Sequence, residues 1–179
     1  MKNITLFLLS LIVLISCKND TKEITTVPDI ANSKYYQETM LRVGNDFLGF
    51  NLGENFETAS IVFSKEHLQQ EENDYLYYKI SNTYTEAEYQ LIFEDEKLKE
   101  IDFDVHVYDE KGNFNTQGAE TLFTEIKADF LKRFGNKYME SSEEENEILY
   151  WSKDKKNIQL IHEKAKAAVH VYADIVEFN

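Results

Sequence analysis

The chain is 179 residues long, 42% hydrophobic and 13% aromatic, with 19 basic against 33 acidic side chains and a formal net charge of −14. That apolar content supports a packed core rather than disorder along the whole length, and the length suits one domain. The charge excludes a basic nucleic-acid surface or a basic membrane-binding face, and the single cysteine excludes an internal disulfide and a cysteine-ligated zinc site.

Residues 1–16 open with Met1-Lys2-Asn3, continue as an apolar run from Ile4 to Ile15, and end on Ser16 before Cys17. A basic start, a short apolar stretch and a small residue before the cut describe a secretory signal. The run is too short to span a bilayer, which takes about 20 apolar residues. Leu14-Ile15-Ser16-Cys17 resembles the lipobox of bacterial lipoproteins. That resemblance implies cleavage before Cys17, a diacylglyceryl group on its thiol and an acylated amine, so that lipid on Cys17 attaches the chain to a membrane. Lys18 stands where enterobacterial lipoproteins retained in the inner membrane carry Asp, which implies an outer-membrane destination. Cys17-Lys18-Asn19-Asp20 is also similar to the export tags of surface lipoproteins in Bacteroidota. The alternative is an ordinary signal peptide with an incidental cysteine, or an inefficient membrane anchor.

Residues 17–44 read as the lipidated cysteine and a flexible tether: polar, balanced in charge, holding Pro28, the sole proline, and without periodicity from Asn19 to Ser33. Tyr35, Tyr36, Met40 and Leu41 are spaced for a short helix that docks on the domain. Residues 45–179 form that domain, and its acidity is lopsided. Residues 45–117 hold 17 acidic and 5 basic residues, while 118–179 hold 12 and 9.

Within the domain, Phe56, Ala59, Val62 and Phe63 fall at helical spacing between Glu54 and about Leu68. Tyr75 to Ile80 is an aromatic-rich strand. Ala87, Tyr89, Leu91 and Phe93 alternate with polar residues in a second strand, and Ile101, Phe103, Val105 and Val107 in a third. Asp95-Glu96-Lys97 is short enough to join those two as a hairpin. The clearest helix spans Gly118 to Phe134, with Leu122, Phe123, Ile126, Phe130 and Phe134 as its apolar stripe and Gly135 as its stop. Ser141 to Glu145 reads as an acidic loop, and Glu147–Ser152, Ile158–Glu163 and Ala167–Ile175 as three more strands. The expected fold is α+β: an antiparallel sheet with helices on one face, built from two tandem α-β-β-β units at 45–117 and 118–179. This order, with Phe47 and Leu52-Gly53 before the first helix, resembles the helix-plus-meander architecture of SmpA-type assembly lipoproteins and secreted β-lactamase inhibitor proteins. The likeness is one of element pattern and assigns no residue a role.

The sequence holds no nucleophile elbow, phosphate loop, zinc-protease or dinucleotide motif, and no cysteine in the folded part, so no cofactor is expected and no catalytic residue is assigned. A two-carboxylate hydrolase stays open, because an acidic chain offers many carboxylate pairs. Alternation puts Asp102, Asp104 and His106 on one strand face. Pairing Leu91 with Ile101 sets Glu88 opposite Asp104 and Glu86 opposite His106. Opposed like charges cost stability that a cation or a basic partner would relieve, while a solvated face that discourages aggregation explains the same residues. No metal site is assigned. His162 and His170 flank the last hairpin turn, where they either face each other or are ordinary strand histidines. Tyr75, Tyr77, Tyr78, Tyr150 and Trp151 suit an interface or a core. Glu143, Glu144 and Glu145 read as a solvated loop, and Lys153, Lys155 and Lys156 as a soluble turn.

The expectation is therefore a non-enzymatic, lipid-anchored envelope protein that binds a basic protein partner through Glu86, Glu88, Asp102, Asp104 and His106. An inhibitor or immunity protein against a basic enzyme or toxin is the first rival, since high acidity speeds capture of a basic target. An unrecognised hydrolase is the second.

Overall fold

The structure, a computed structural model, describes residues 35, 50–60, 65–72, 74–143 and 145–176. The stretches expected to be the signal segment, the lipobox with Cys17 and the tether with its short docking helix lie outside the described residues, except for Tyr35. No described helix is long and apolar enough to cross a membrane.

In chain order, helix α1 (Phe56–Ser60) precedes strands β1 (Leu68–Glu72), β2 (Tyr75–Ser81), β3 (Thr85–Glu94) and β4 (Lys97–Val107). Helix α2 (Thr116–Phe134) then precedes β5 (Met139–Glu143), β6 (Asn146–Lys153), β7 (Lys156–Glu163) and β8 (Ala168–Ile175). The eight strands make one antiparallel sheet in the order β1-β2-β3-β4-β8-β7-β6-β5. Each half is thus a four-stranded meander, and the last strand of one lies beside the last strand of the other.

Period-two alternation drives the sheet. Leu76, Tyr78 and Ile80 on β2, Ala87, Tyr89, Leu91 and Phe93 on β3, and Ile101, Phe103, Val105 and Val107 on β4 all point to one face and are buried. Leu149 and Trp151 on β6, Ile158 and Leu160 on β7, and Val169, Val171 and Ala173 on β8 complete that face. Helix α2 covers it with Ala119, Leu122, Phe123, Ile126 and Phe130, and each large apolar side chain contributes roughly 1.5–3 kcal/mol through burial. Helix α1 lies on the same side, where Phe56 packs edge-on against Phe93 at 4.9 Å. Tyr35 also packs against this core, and its hydroxyl accepts a hydrogen bond from Asn115 at 3.2 Å.

Local chemistry sets the joints. The Asn115 side chain accepts the Gly118 amide at 2.9 Å and caps α2, whose other end stops at Gly135 with φ +88°. Asp95-Glu96 and Asp154-Lys155 both hold left-handed backbone, which gives two-residue turns whose twist matches the flanking strands. The hairpin expected at Asp95 is there.

Three expectations need correction. Each half holds four strands rather than three. The stretch expected to be helical from Glu54 to Leu68 is helical at Phe56–Ser60, makes a single 3-10 turn at Lys65–His67, and starts β1 at Leu68, with 61–64 outside the described residues. Ser141 to Glu143, read as loop, belongs to β5. Both missed strands are edge strands exposed along most of their length, so neither carries an apolar alternation to betray it.

Candidate functional site

The sheet has a second face, opposite the helices. Every other residue of β2, β3, β4, β8 and β7 points there, and neither described α-helix packs on it. The register is the one expected from pairing Leu91 with Ile101: Glu88 stands opposite Asp104 and Glu86 opposite His106. Across the next seams, Lys79 is opposite Glu88, His170 opposite Asp104, and Tyr172 opposite Asp102. Glu86, Glu88, Asp102, Asp104 and His106 therefore share one continuous, half-buried surface.

The charges on that surface divide into two regions. In the first, each carboxylate has a lysine ammonium or an imidazole beside it, though Asp104 Oδ1 is buried without a hydrogen-bond partner among the described residues. Lys79 Nζ lies 2.9 Å from both Glu86 Oε1 and Glu88 Oε1, and Tyr77 also donates its hydroxyl to Glu88. The Lys79 ammonium holds the Glu88 carboxyl below its usual range, and the two glutamates raise the lysine in return. Asp104 Oδ1 lies 3.3 Å from His170 Nδ1, and Asp104 Oδ2 lies 3.9 Å from His106 Nε2. Glu163 continues the chain, 3.5 Å from His170 Nε2 and 2.9 Å from Lys166. Burial pushes Asp104 up despite both histidines. The repulsion expected from opposed carboxylates is thus relieved on the Glu88 side by Lys79.

Lys79 is the residue that sequence reasoning missed. Its signal was available: pairing Ile80 with Ala87 to keep both apolar faces inward places Lys79 beside Glu88.

The second region is different. Asp102 makes no ion pair or hydrogen bond among the described residues, and burial raises its carboxyl against the pull of His170. One step along, Glu100 stands directly opposite Asp174, two like charges face to face. Glu100 accepts the Tyr172 hydroxyl, while a buried oxygen of Asp174 has no hydrogen-bond partner. Tyr172 is pushed up to about 12, by burial first and then by Glu100 and Asp174. Tyr75 borders the same region, as does Ile92, 37% exposed and opposite Tyr75 on β3.

Other candidates separate cleanly. Tyr78 and Trp151 belong to the core, where the Trp151 indole donates to Gly135 O at 3.0 Å, whereas Tyr75, Tyr77 and Tyr150 lie on the open face. His162 and His170 do not meet, because they occupy opposite faces: His162 pairs with Val169 in the ladder and stacks on Phe123 at 5.1 Å. Desolvation lowers the His162 imidazole, and its Nε2 has no partner among the described residues. It lines an open groove at the start of α2 with Thr116, Gln117, Glu120, Glu145 and Lys164, a lining of mixed charge. Lys153 and Lys156 pair across the Asp154-Lys155 turn, and Lys153 donates to Arg133 O. No group of three or more acidic, histidine or cysteine side chains among the described residues is arranged to hold a metal ion.

No protein-family model and no curated protein matches the sequence. Among solved structures, a cysteine-rich secretory protein from Staphylococcus aureus subsp. aureus Mu50 aligns over 70% of this chain at 9% identity with a TM-score of 0.29. The alignment spans 44% of that protein, less than half its length.

Proposed function

We propose that this chain is a non-enzymatic lipoprotein of the bacterial outer membrane, anchored through Cys17, whose open sheet face binds a basic protein partner. The observation that carries the reading is that face itself: tyrosines and carboxylates alternate across β2, β3, β4 and β8 with neither described helix over them. Tyrosine supplies large contact area at low entropic cost, and carboxylates complement a basic surface and steer its approach. The mirrored strand order about the β4–β8 seam supports the further reading that the two halves are tandem repeats, each a helix followed by a meander. It also suits the architecture of the SmpA-type and β-lactamase-inhibitor proteins that the element pattern resembles.

The test is crosslinking of tagged full-length protein in its own cells, run beside a variant carrying Glu86→Gln, Glu88→Gln, Asp102→Asn and Asp104→Asn. One basic protein captured by the wild type and lost from the variant is the expected result. Equal capture by both removes the face from consideration. A tight, salt-sensitive, stoichiometric complex with a single enzyme or toxin would favour the inhibitor alternative. Replacing Cys17 with Ser tests the anchor separately: palmitate label and membrane fractionation should both be lost.

A further inference from the structure

The open face does not offer its carboxylates equally. Around Lys79, Glu86 and Glu88 already have a counter-charge, so a partner's cation would have to displace an existing pair. Around Asp102 it would not. Asp102 has no ion-pair or hydrogen-bond partner among the described residues, and Glu100 stands directly opposite Asp174. Three carboxylates thus stand on adjacent positions of β4 and β8. Phenol rings border them: Tyr172 is the direct cross-strand neighbour of Asp102. Tyr75 stands on the same face two strands away, in line with Glu100 through Ile92, and Asp102 acts on its hydroxyl. Exposed Ile92 completes an apolar margin.

Building on the binding role proposed above, we infer that the partner docks on this face through an arginine, with its guanidinium seated on Asp102 between Tyr75 and Tyr172. The geometry selects arginine over lysine. A flat, delocalised cation stacks on phenol rings while its fork of N–H donors reaches two carboxylates at once, whereas an ammonium is compact and more strongly hydrated. Asp102 loses little by accepting it, because no internal pair has to break. The desolvated oxygen of Asp174 gains a donor as the region closes. Glu86 and Glu88, held by Lys79, contribute long-range attraction rather than the anchor.

The test uses the full chain without its signal segment and two fluorescent ten-residue peptides of identical net charge, one carrying four arginines and one four lysines. Anisotropy titrations at 0.15 M salt should show the arginine peptide binding at least fivefold tighter than the lysine peptide. Asp102→Asn should weaken the arginine peptide about tenfold and reduce the difference between the peptides to twofold or less. Tyr172→Phe, which keeps the ring, should bind within about threefold of wild type, while Tyr172→Leu should not. Glu94→Gln, at the β3–β4 turn, controls for a general loss of charge, and circular dichroism confirms that each variant is folded. Equal affinity for the two peptides, or an Asp102→Asn loss matched by Glu94→Gln, overturns the arginine seat. If Asp102→Asn is silent but the Glu86→Gln, Glu88→Gln pair abolishes binding, the seat is wrong and the acidic face stands. If every variant binds like wild type, both fall. Competition by 2 mM Ca²⁺ at the Asp102 region would assign it to a metal ion instead and overturn the seat.

Discussion

Lys79 Nζ donates to Glu88 Oε1 at 2.9 Å, and the same ammonium lies 2.9 Å from Glu86, so one lysine on β2 holds two glutamates that stand on one face of β3. Removing it leaves those carboxylates next to Asp104 with no lysine among them. Lys79→Met should destabilise the protein by about 0.5–1 kcal/mol at pH 7, a modest figure because all three side chains are about a third exposed and water screens them. The sign with pH comes from Glu88. Its carboxyl is held below the usual range in the folded state, so it contributes stability above its unfolded value that is lost as pH falls through the folded one. The gap between wild type and Lys79→Met should therefore be wide at pH 7 and narrow by pH 3. Urea unfolding followed by the fluorescence of Trp151, the sole tryptophan, measures it.

His162 gives the opposite kind of pH dependence. It is 2% exposed and stacks on Phe123, and desolvation keeps its imidazole below the ordinary value. The unfolded chain then takes up a proton near pH 6.5 while the folded chain does not, so stability falls as pH drops below that value. His162→Leu should abolish this component and flatten the curve between pH 7 and pH 5. At pH 7 the variant should stay within about 1 kcal/mol of wild type, because an apolar side chain of similar size replaces a ring whose Nε2 has no partner among the described residues. A curve as steep in the variant as in the wild type would place the acid sensitivity elsewhere.

Much of this arrangement is legible in the residues alone. Alternation at Ala87–Phe93 and Ile101–Val107, joined by a short acidic turn, sets both the hairpin and its register, and with it the meeting of Glu88 and Asp104. The α2 stripe is equally plain, since Leu122, Phe123, Ile126 and Phe130 recur at helical spacing. What the residues could not show was which side chain meets which across the seams. That depends on strands one seam away: Lys79 reaches Glu88 across β2–β3, and His170 reaches Asp104 across β4–β8, a pairing of residues far apart in the chain. The same limit hid Asp174, whose place opposite Glu100 is set only by the seam between the halves. Whether His162 and His170 face each other stays open in the sequence for a simpler reason: an even spacing says nothing of facing when a turn of unknown length lies between.

Gly118 lies inside α2, where alanine is ordinarily favoured by about 1 kcal/mol. Here a Cβ would stand 2.7 Å from Val107 Cγ1 and 2.8 Å from Nδ2 of the capping Asn115. Overpacking of this kind costs about 1–3 kcal/mol, and disturbing the cap adds to it. Gly118→Ala should therefore destabilise by about 1–2 kcal/mol net, against helix propensity. Adding Val107→Ala should recover part of the loss, a coupling that a double-mutant cycle of urea midpoints reads directly. Simple additivity of the two substitutions would show that the helix is not held against β4 at this point.

The two edge strands escaped sequence reasoning because they are built to be poor strands. Leu68–Glu72 ends Gln-Gln-Glu-Glu, and Met139–Glu143 carries glutamates at both its second and last positions, with most side chains of each exposed. Such edges expose unpaired backbone groups to any passing strand, and charge along them prevents that pairing. The composition that hides them from a periodicity search is what keeps the sheet from extending. Replacing Glu140 and Glu143 with Val should leave the core intact, since neither is buried, yet turn β5 into an apolar edge of high strand propensity beside exposed Met139. Size-exclusion chromatography across a tenfold concentration range should then show dimers and larger species that the wild type lacks, with the unfolding midpoint of the monomer moved by less than about 0.5 kcal/mol. A monomeric double variant at every concentration would mean that the twist of the sheet, rather than these charges, guards the edge.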